Sequence, residues 1–336
     1  MCPGMKSLAE RVLANDRAAL ARLITLIENE NEQGLAALDG LAPRAGKAHI
    51  IGITGPSGSG KSSLVNRLAP LLADRLPADQ PNKVAIVAVD PSSPFSGGAL
   101  LGDRVRMASL SAEPGIFMRS MATRGALGGL ARAAYGAVEA LDAAGYPWIL
   151  IETVGAGQSE VEIAHLAHTT LVLEAPGLGD DVQAAKAGIL EIADILAVNK
   201  ADQPGAEAAE RALRAMLEIG AESRPPDPDA WQVPVMRVSA LEGEGVEALA
   251  DAIQAHTRWL GERGRKKASD ITRIDEQFDA ILRAELWNKL LQELPSGALR
   301  RARLAAEERH VSPRQAARRL LARYTRDMGV KTEPKL

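Results

Sequence analysis

Lys61 and Ser62 end the run Gly55-Pro56-Ser57-Gly58-Ser59-Gly60-Lys61-Ser62, whose residue types suit the cradling of a polyphosphate. Gly55 and Gly60 let the backbone turn and approach an anion with no Cβ in the way. The N–H groups of the loop (Ser57, Gly58, Ser59) and of a first helical turn (Lys61, Ser62, Ser63) then face the phosphates, aided by the helix dipole. Lys61 is placed to reach the β- and γ-phosphates and the Ser62 hydroxyl to ligate Mg²⁺. The surroundings agree: residues 49–54 form an apolar run of strand length, and Leu64, Val65 and Leu68 follow at helical spacing. A chance Gly/Ser linker needs neither the strand before it nor the Lys-Ser at its end.

Two acids stand at the ends of later apolar runs. Residues 84–89 lead into Asp90-Pro91-Ser92-Ser93, then a glycine-bearing loop and Asp103 and Arg106. A carboxylate at a strand end beside a phosphate site is suited to Mg²⁺ or its waters. Asp103 and Arg106 lie on a segment that can sense the γ-phosphate as a switch does. A turn that merely caps a helix is the competing reading of Asp90, and the spelling leaves both open. Trp148-Ile149-Leu150-Ile151 leads into Glu152-Thr153-Val154-Gly155, the second nucleotide signature with glutamate where aspartate is usual. The longer side chain still reaches the metal's water shell, the Gly155 N–H can bind the γ-phosphate, and Gln158 is a candidate for orienting the attacking water.

The base is read from Asn199-Lys200-Ala201-Asp202. A carboxylate at Asp202 accepts from the guanine N1–H and 2-amino group as a charge-assisted pair, whereas adenine presents it with a lone pair at N1. Asn199 and the stem of Lys200 are expected to support the base from the other side, and Ser239 and Ala240 stand where a loop N–H meets O6. GTP is therefore the expected nucleotide. His165 and His168 have ligand spacing, but with no third ligand nearby they read as helix-surface histidines.

These residues must be held by something. Apolar runs at 49–54, 84–90, 148–152, 171–175, 195–199 and 235–239 alternate with helical segments, which predicts an α/β fold: a mostly parallel sheet flanked by helices, ligands at the carboxyl ends of the strands. Residues 1–46 form a helical extension, largely a solvated scaffold, 47–262 the phosphate-loop domain and 263–336 a C-terminal helical segment after the charged break at 261–267. That last segment places Ile271, Ile274, Phe278, Ile281, Leu282, Leu286 and Leu290 at helical spacing, with few aromatics to build a core of its own, so a second copy is expected to cover it. Ser312 and Pro313 read as the cap and first position of its last helix.

Composition bounds the partners. In 336 residues the formal charge of −3 gives no reason to expect nucleic acid, and the arginines at 300–323 are interspersed with acids. The lone Cys2 excludes a disulfide framework and a multi-cysteine metal site. No stretch approaches the ~20 apolar residues of a membrane span, and the N-terminus lacks a secretory apolar block, so a cytoplasmic protein is expected.

Assembled, the motifs resemble those of the MeaB/ArgK-type GTPases, the methylmalonyl-CoA mutase-associated family that includes the human cobalamin type A protein. The resemblance runs from Asp16-Arg17-Ala18-Ala19-Leu20-Ala21-Arg22 to the Ser312-Pro313 helix. It is carried by Val89-Asp90-Pro91-Ser92-Ser93, Ser96-Gly97-Gly98, Leu101-Gly102-Asp103, Thr123-Arg124-Gly125, Glu152-Thr153-Val154-Gly155 and Gln158-Ser159-Glu160. It implies a homodimeric P-loop GTPase that uses GTP, GDP and Mg²⁺, joined through its C-terminal helices. It also implies chaperoning of an adenosylcobalamin-dependent acyl-CoA mutase, with GTP hydrolysis gating cofactor delivery from a cobalamin adenosyltransferase and protecting the mutase. By motif, Lys61 and Ser62 would bind phosphate and Mg²⁺, while Asp90, Asp103 and Glu152 would serve the metal and switch regions. Asp180 and Lys186, in an acidic glycine-bearing loop, match the segment that couples the mutase to hydrolysis.

The reading is thus a GTP-hydrolysing, metallochaperone-like switch, slow without a partner. Arg104, Arg106, Arg119 and Arg124 are its candidate arginine fingers. The alternatives are a nickel- or other metal-delivery GTPase and a kinase acting on a small molecule or protein.

Overall fold

The computed structural model describes residues 6–91, 110–123, 129–153, 159–177, 190–222, 227 and 229–327. Its apolar runs form one sheet: β1 (His49–Thr54), β2 (Val84–Pro91), β3 (Ile116–Thr123), β4 (Trp148–Glu152), β5 (Thr169–Glu174), β6 (Ile195–Val198) and β7 (Val235–Arg237). The strand order is β3-β2-β4-β1-β5-β6-β7, and every neighbouring pair is parallel. Residues of β1, β4, β5 and β6 are buried throughout, as strands covered on both faces must be, which is why they read as continuous apolar runs.

Alternate residues of each strand serve opposite layers. Ile51 and Ile53 of β1 join Ile86 and Leu150 in a core with Leu64, Val65, Leu68 and Leu72 of α4 (Lys61–Asp74) and Leu249, Ala250 and Ile253 of α8 (Val246–Gly261). Ile50, Val87, Ile149 and Ile151 face the other way. They meet Leu20, Leu23, Ile24 and Ile27 of α2 (Arg17–Glu28) and Ala137, Val138 and Leu141 of α5 (Gly129–Ala143). The short helices α1 (Leu8–Leu13) and α3 (Glu32–Asp39) flank α2, with α6 (Ser159–Leu166) against β1 and α7 (Ala206–Glu222) against β6 and β7.

One expectation is corrected here, and one strand is new. The N-terminal helices are a structural layer rather than a solvated scaffold, since the stripe of α2 is wholly inside the core. Between α1 and α2 Asn15 takes φ 63, and the Asp16 carboxylate caps α2 by accepting from Ala18 and Ala19. Strand β3 was not expected. Among the described residues it pairs with β2 alone, at the edge of the sheet, and Arg119 and Ser120 interrupt its apolar run.

The chain divides into two compact units, Met1–Glu276 and Gln277–Leu336. After α8 the backbone turns at Arg263 and Gly264, both at positive φ, into α9 (Arg265–Glu293). The second unit contains the rest of α9 and the packed pair α10 (Ala298–Glu307) and α11 (Pro313–Asp327). Ser312 caps α11 as expected: its hydroxyl accepts from Gln315 N–H while the Gln315 side chain accepts from Ser312 N–H. Leu290 is buried, but Phe278, Ile281, Leu282 and Leu286 stand exposed along α9. Among the described residues no helix is long and apolar enough to cross a membrane.

Candidate functional site

Strand β1 stops at Thr54 and the chain turns at once under β5. Gly55 takes φ 138, and a Cβ there would lie 2.0 Å from the Leu173 carbonyl oxygen, so only glycine fits. Gly60, at φ 92, is the left-handed residue from which α4 departs; its missing Cβ leaves room for the Asn199 amide. The Ser59 N–H donates to Pro56 O at 3.2 Å, closing the loop between them. Lys61 is buried, with Nζ donating to the carbonyls of Gly55 (2.8 Å) and Pro56 (2.9 Å), so its ammonium lies across the mouth of its own loop.

The glutamate of the second signature stands beside Ser62. The register aligns Glu152 with Ile53, bringing the end of β4 beside the end of β1. The Ser62 hydroxyl donates to Glu152 Oε1 at 2.5 Å, and Thr153 binds β1 twice, by its N–H to Ile53 O and its hydroxyl to Thr54 Oγ1. A hydroxyl and a carboxylate in contact at the head of a phosphate-binding helix are the hard oxygen donors that suit Mg²⁺.

The base-reading residues gather at the ends of β6 and β7. Asn199 is buried; its Nδ2 donates to Ser59 O at 2.8 Å and its Oδ1 accepts from Ala240 N–H at 2.9 Å. It therefore ties the phosphate loop to the loop after β7, a structural task beyond the base support read from the sequence. Lys200 takes φ 59, which turns the chain back so that Ala201 N–H donates to Val238 O. The Ser239 hydroxyl donates to Asp202 Oδ1 at 2.7 Å and fixes that carboxylate. One contact was absent from the sequence reading: Arg67, on α4, donates from Nε to Ala240 O at 3.2 Å and from Nη2 to Leu241 O at 2.7 Å. A lone arginine on a helix face carries no motif, so only the fold reveals its partners.

The structure thus brings together residues 55–63, Glu152, Asn199, Lys200, Asp202, Ser239 and Ala240. Asp103, Arg104, Arg106, Arg124, Gly155, Gln158, Asp180 and Lys186 lie outside the described residues, as does the side chain of Asp90. Arg119 is no free arginine finger. It pairs with Glu28 at 2.6 Å and donates to Thr25 Oγ1, joining β3 to α2.

Of the two histidines read as surface residues, His165 is one and His168 is not. His165 is exposed and pairs with Glu276, whereas His168 is buried beyond the end of α6, where its Nδ1 accepts from Ile50 N–H and its Nε2 contacts Asp270 at 2.8 Å. With His49 and His256 it lies at the amino ends of β1 and β5. There Thr169 Oγ1 stands 2.7 Å from His49 Nε2 and 2.8 Å from His256 Nδ1. Burial holds the His49 imidazole down to about 2 and that of His256 down to about 4, and pushes Asp194 up to about 7. Among the described residues no group of three or more His, Cys, Asp or Glu side chains can hold a metal ion.

Comparison with known proteins gives this geometry its kinship. The profile of the family described as methylmalonyl-CoA mutase-associated GTPase MeaB matches residues 20–294. A Pyrococcus abyssi relative that carries a provisional GTPase name is 42% identical over 314 residues, 94% of this chain and 95% of its own. The mitochondrial methylmalonic aciduria type A homolog of Caenorhabditis elegans is 30% identical over 93% of this chain and 77% of its own. A solved structure described as LAO/AO transport system kinase superposes with a TM-score of 0.70 at 27% identity, covering 97% of this chain and all of the other. The chain belongs to the methylmalonyl-CoA mutase-associated MeaB family of P-loop GTPases, and guanine nucleotide is what its phosphate loop serves.

Proposed function

We propose that this GTPase is the chaperone of an adenosylcobalamin-dependent acyl-CoA mutase, coupling GTP hydrolysis to cofactor loading and to protection of the mutase. The observation that carries the nucleotide half is the tie at Asn199, which joins the phosphate loop to the loop holding Ser239 and Ala240. The family's association with methylmalonyl-CoA mutase supports the partner half. Ser62, Glu152 and Asp90 would hold Mg²⁺, which supplies charge neutralisation across the β- and γ-phosphate oxygens. Lys61 would exchange two loop carbonyls for phosphate oxygens. Asp202 would accept from N1–H and the 2-amino group, with the Ala240 N–H sharing its proton between Asn199 Oδ1 and O6. Water then attacks the γ-phosphorus, the bond to the β-γ bridging oxygen breaks, and GDP and phosphate leave. Gln158 is proposed to orient that water, with Gly155, Asp103 and Arg106 on the switch segments and Asp180 and Lys186 on the partner-coupling loop.

Arg119 is committed to Glu28, and the transition-state charge is proposed to come from the mutase as it orders the switch segments. The exposed row on α9 supports a homodimer through the C-terminal helices, from residue 263 onward, and a cobalamin adenosyltransferase is the cofactor's source in the cytoplasm. The test is GTP turnover by the purified protein with each cobalamin-dependent mutase of the same genome. Stimulation of tenfold or more by one of them, about 1.4 kcal/mol of barrier, is the expected result; no stimulation by any sinks the mutase reading. Recovery of the γ-phosphate on an acceptor rather than as free phosphate would favour a kinase.

A further inference from the structure

We propose that Arg67 is a positioning residue for guanine, acting through the loop after β7. The inference rests on the placement of the base at Asp202 and Ala240 given above. Arg67 follows Lys61 by six residues, about 9 Å along the same helix. One rigid element therefore carries the phosphate-facing lysine at its head and, nearly two turns on, a guanidinium that grips the base loop.

The loop shows why that grip matters. Ser239 N–H donates to Glu244 O, Gly243 N–H to Ser239 O at 2.7 Å, and Glu242 N–H to Ser239 Oγ. Gly245 lacks the Cβ that would meet Arg237 O at 2.3 Å, so the chain returns close beneath itself. These bonds close the turn on Ser239, while the carbonyls of Ala240 and Leu241 are taken by Arg67 at 3.2 and 2.7 Å. A planar fork meets two successive carbonyls in a way an ammonium, a single point of charge, does not. Asn199 holds the same loop from its other side through Ala240 N–H. The two ties fix the height of that N–H above the phosphate loop, where its proton, held by Asn199 Oδ1, would be shared with O6 as a three-centre bond.

Arg67 is exposed, and the packing of α4 on α8 is made elsewhere, by Leu68 and Leu72 against Leu249 and Ile253 and by Arg75 on Asp251 at 2.8 Å. Truncating Arg67 should therefore loosen the loop and leave the fold.

The experiment titrates GDP, 6-thio-GDP and IDP into the full chain as it stands and into Arg67→Ala, Arg67→Lys and Asp202→Asn, with thermal melting of each. The preference for GDP over 6-thio-GDP reads the contact at O6; the preference for GDP over IDP reads the 2-amino group. Arg67→Ala is expected to weaken GDP about tenfold, the scale of a charged hydrogen bond lost near solvent, to compress the GDP to 6-thio-GDP ratio and to melt with the unmutated protein. Arg67→Lys should recover part of both. Equal weakening of all three nucleotides, or no weakening, overturns the proposal. If the alanine protein does not purify, the lysine protein decides alone: a ratio equal to that of the unmutated chain overturns it. If Asp202→Asn leaves the GDP to IDP ratio untouched, the base placement has failed, which is a separate result.

Discussion

Lys61 lies where the phosphates would go, its ammonium held by two carbonyls of its own loop. A buried ammonium that donates to carbonyls gains when the oxygens of a polyanion replace them, because the attraction of opposite charges adds to the hydrogen bond. Lys61→Ala is expected to lower GTP turnover at least about a hundredfold, the scale of a lost transition-state donor, while the melting temperature stays within about 4 °C. A variant with undiminished turnover would remove the phosphate loop from the mechanism. Asp202 invites a change of specificity instead. An amide at that position donates where the carboxylate accepted, so Asp202→Asn should weaken GTP about ten- to a hundredfold and improve XTP, whose 2-oxo group accepts. Competition binding of the two nucleotides decides it, and an unaltered preference would refute the pairing. Both residues were legible in the sequence because a phosphate loop and an Asn-Lys-x-Asp turn are short local patterns. Arg67 and the double engagement of Asn199 were not, because each depends on residues from about forty to more than a hundred positions away.

At the scale of elements, the sequence marks faces without saying what covers them. The stripe on α2 and the stripe on α9 obey the same helical spacing, yet the first is buried in the sheet's own core and the second stands open, with Phe278 62% exposed. Central strands were legible because burial on both faces demands unbroken apolar runs, and edge strand β3 escaped because Arg119, paired with Glu28 of α2, breaks its run. The open stripe belongs with the proposed dimer. Replacing Phe278 and Leu282 with glutamate should put like charges in a two-fold apolar seam and yield a monomer by light scattering, with α9 still helical by circular dichroism. A dimer that survives both substitutions places the interface elsewhere.

The whole molecule puts its titrating groups at opposite ends of the sheet, the phosphate loop at the carboxyl ends of the strands and the histidine cluster at the amino ends. The cluster's charge balance sets an acid limit for the fold. His49, His168 and His256 are held below their ordinary value, burial being the main cause, with Lys266 and Arg273 also disfavouring a charge on His168 and Asp270 opposing. In the unfolded chain these rings take up protons near pH ~6.5. In the fold His256 waits until about 4 and His49 until about 2. As pH falls from about 6.5 to 4 the unfolded state thus binds protons that the folded state refuses, and stability is lost. Asp194 works the other way: raised by burial to about 7, its carboxyl is protonated in the fold before it is protonated in the unfolded chain, which adds stability as pH falls through 7. Three histidines outweigh this carboxyl and the half-buried Glu139, also raised by burial. Denaturant unfolding at pH 4.5 should therefore give a free energy lower than at pH 7 by about 2 kcal/mol. Asp194→Asn removes the opposing group, so its loss over the same interval should be deeper. Equal stability at the two pH values, or a shallower loss in the asparagine variant, would mean that the cluster is not the neutral network its burial implies.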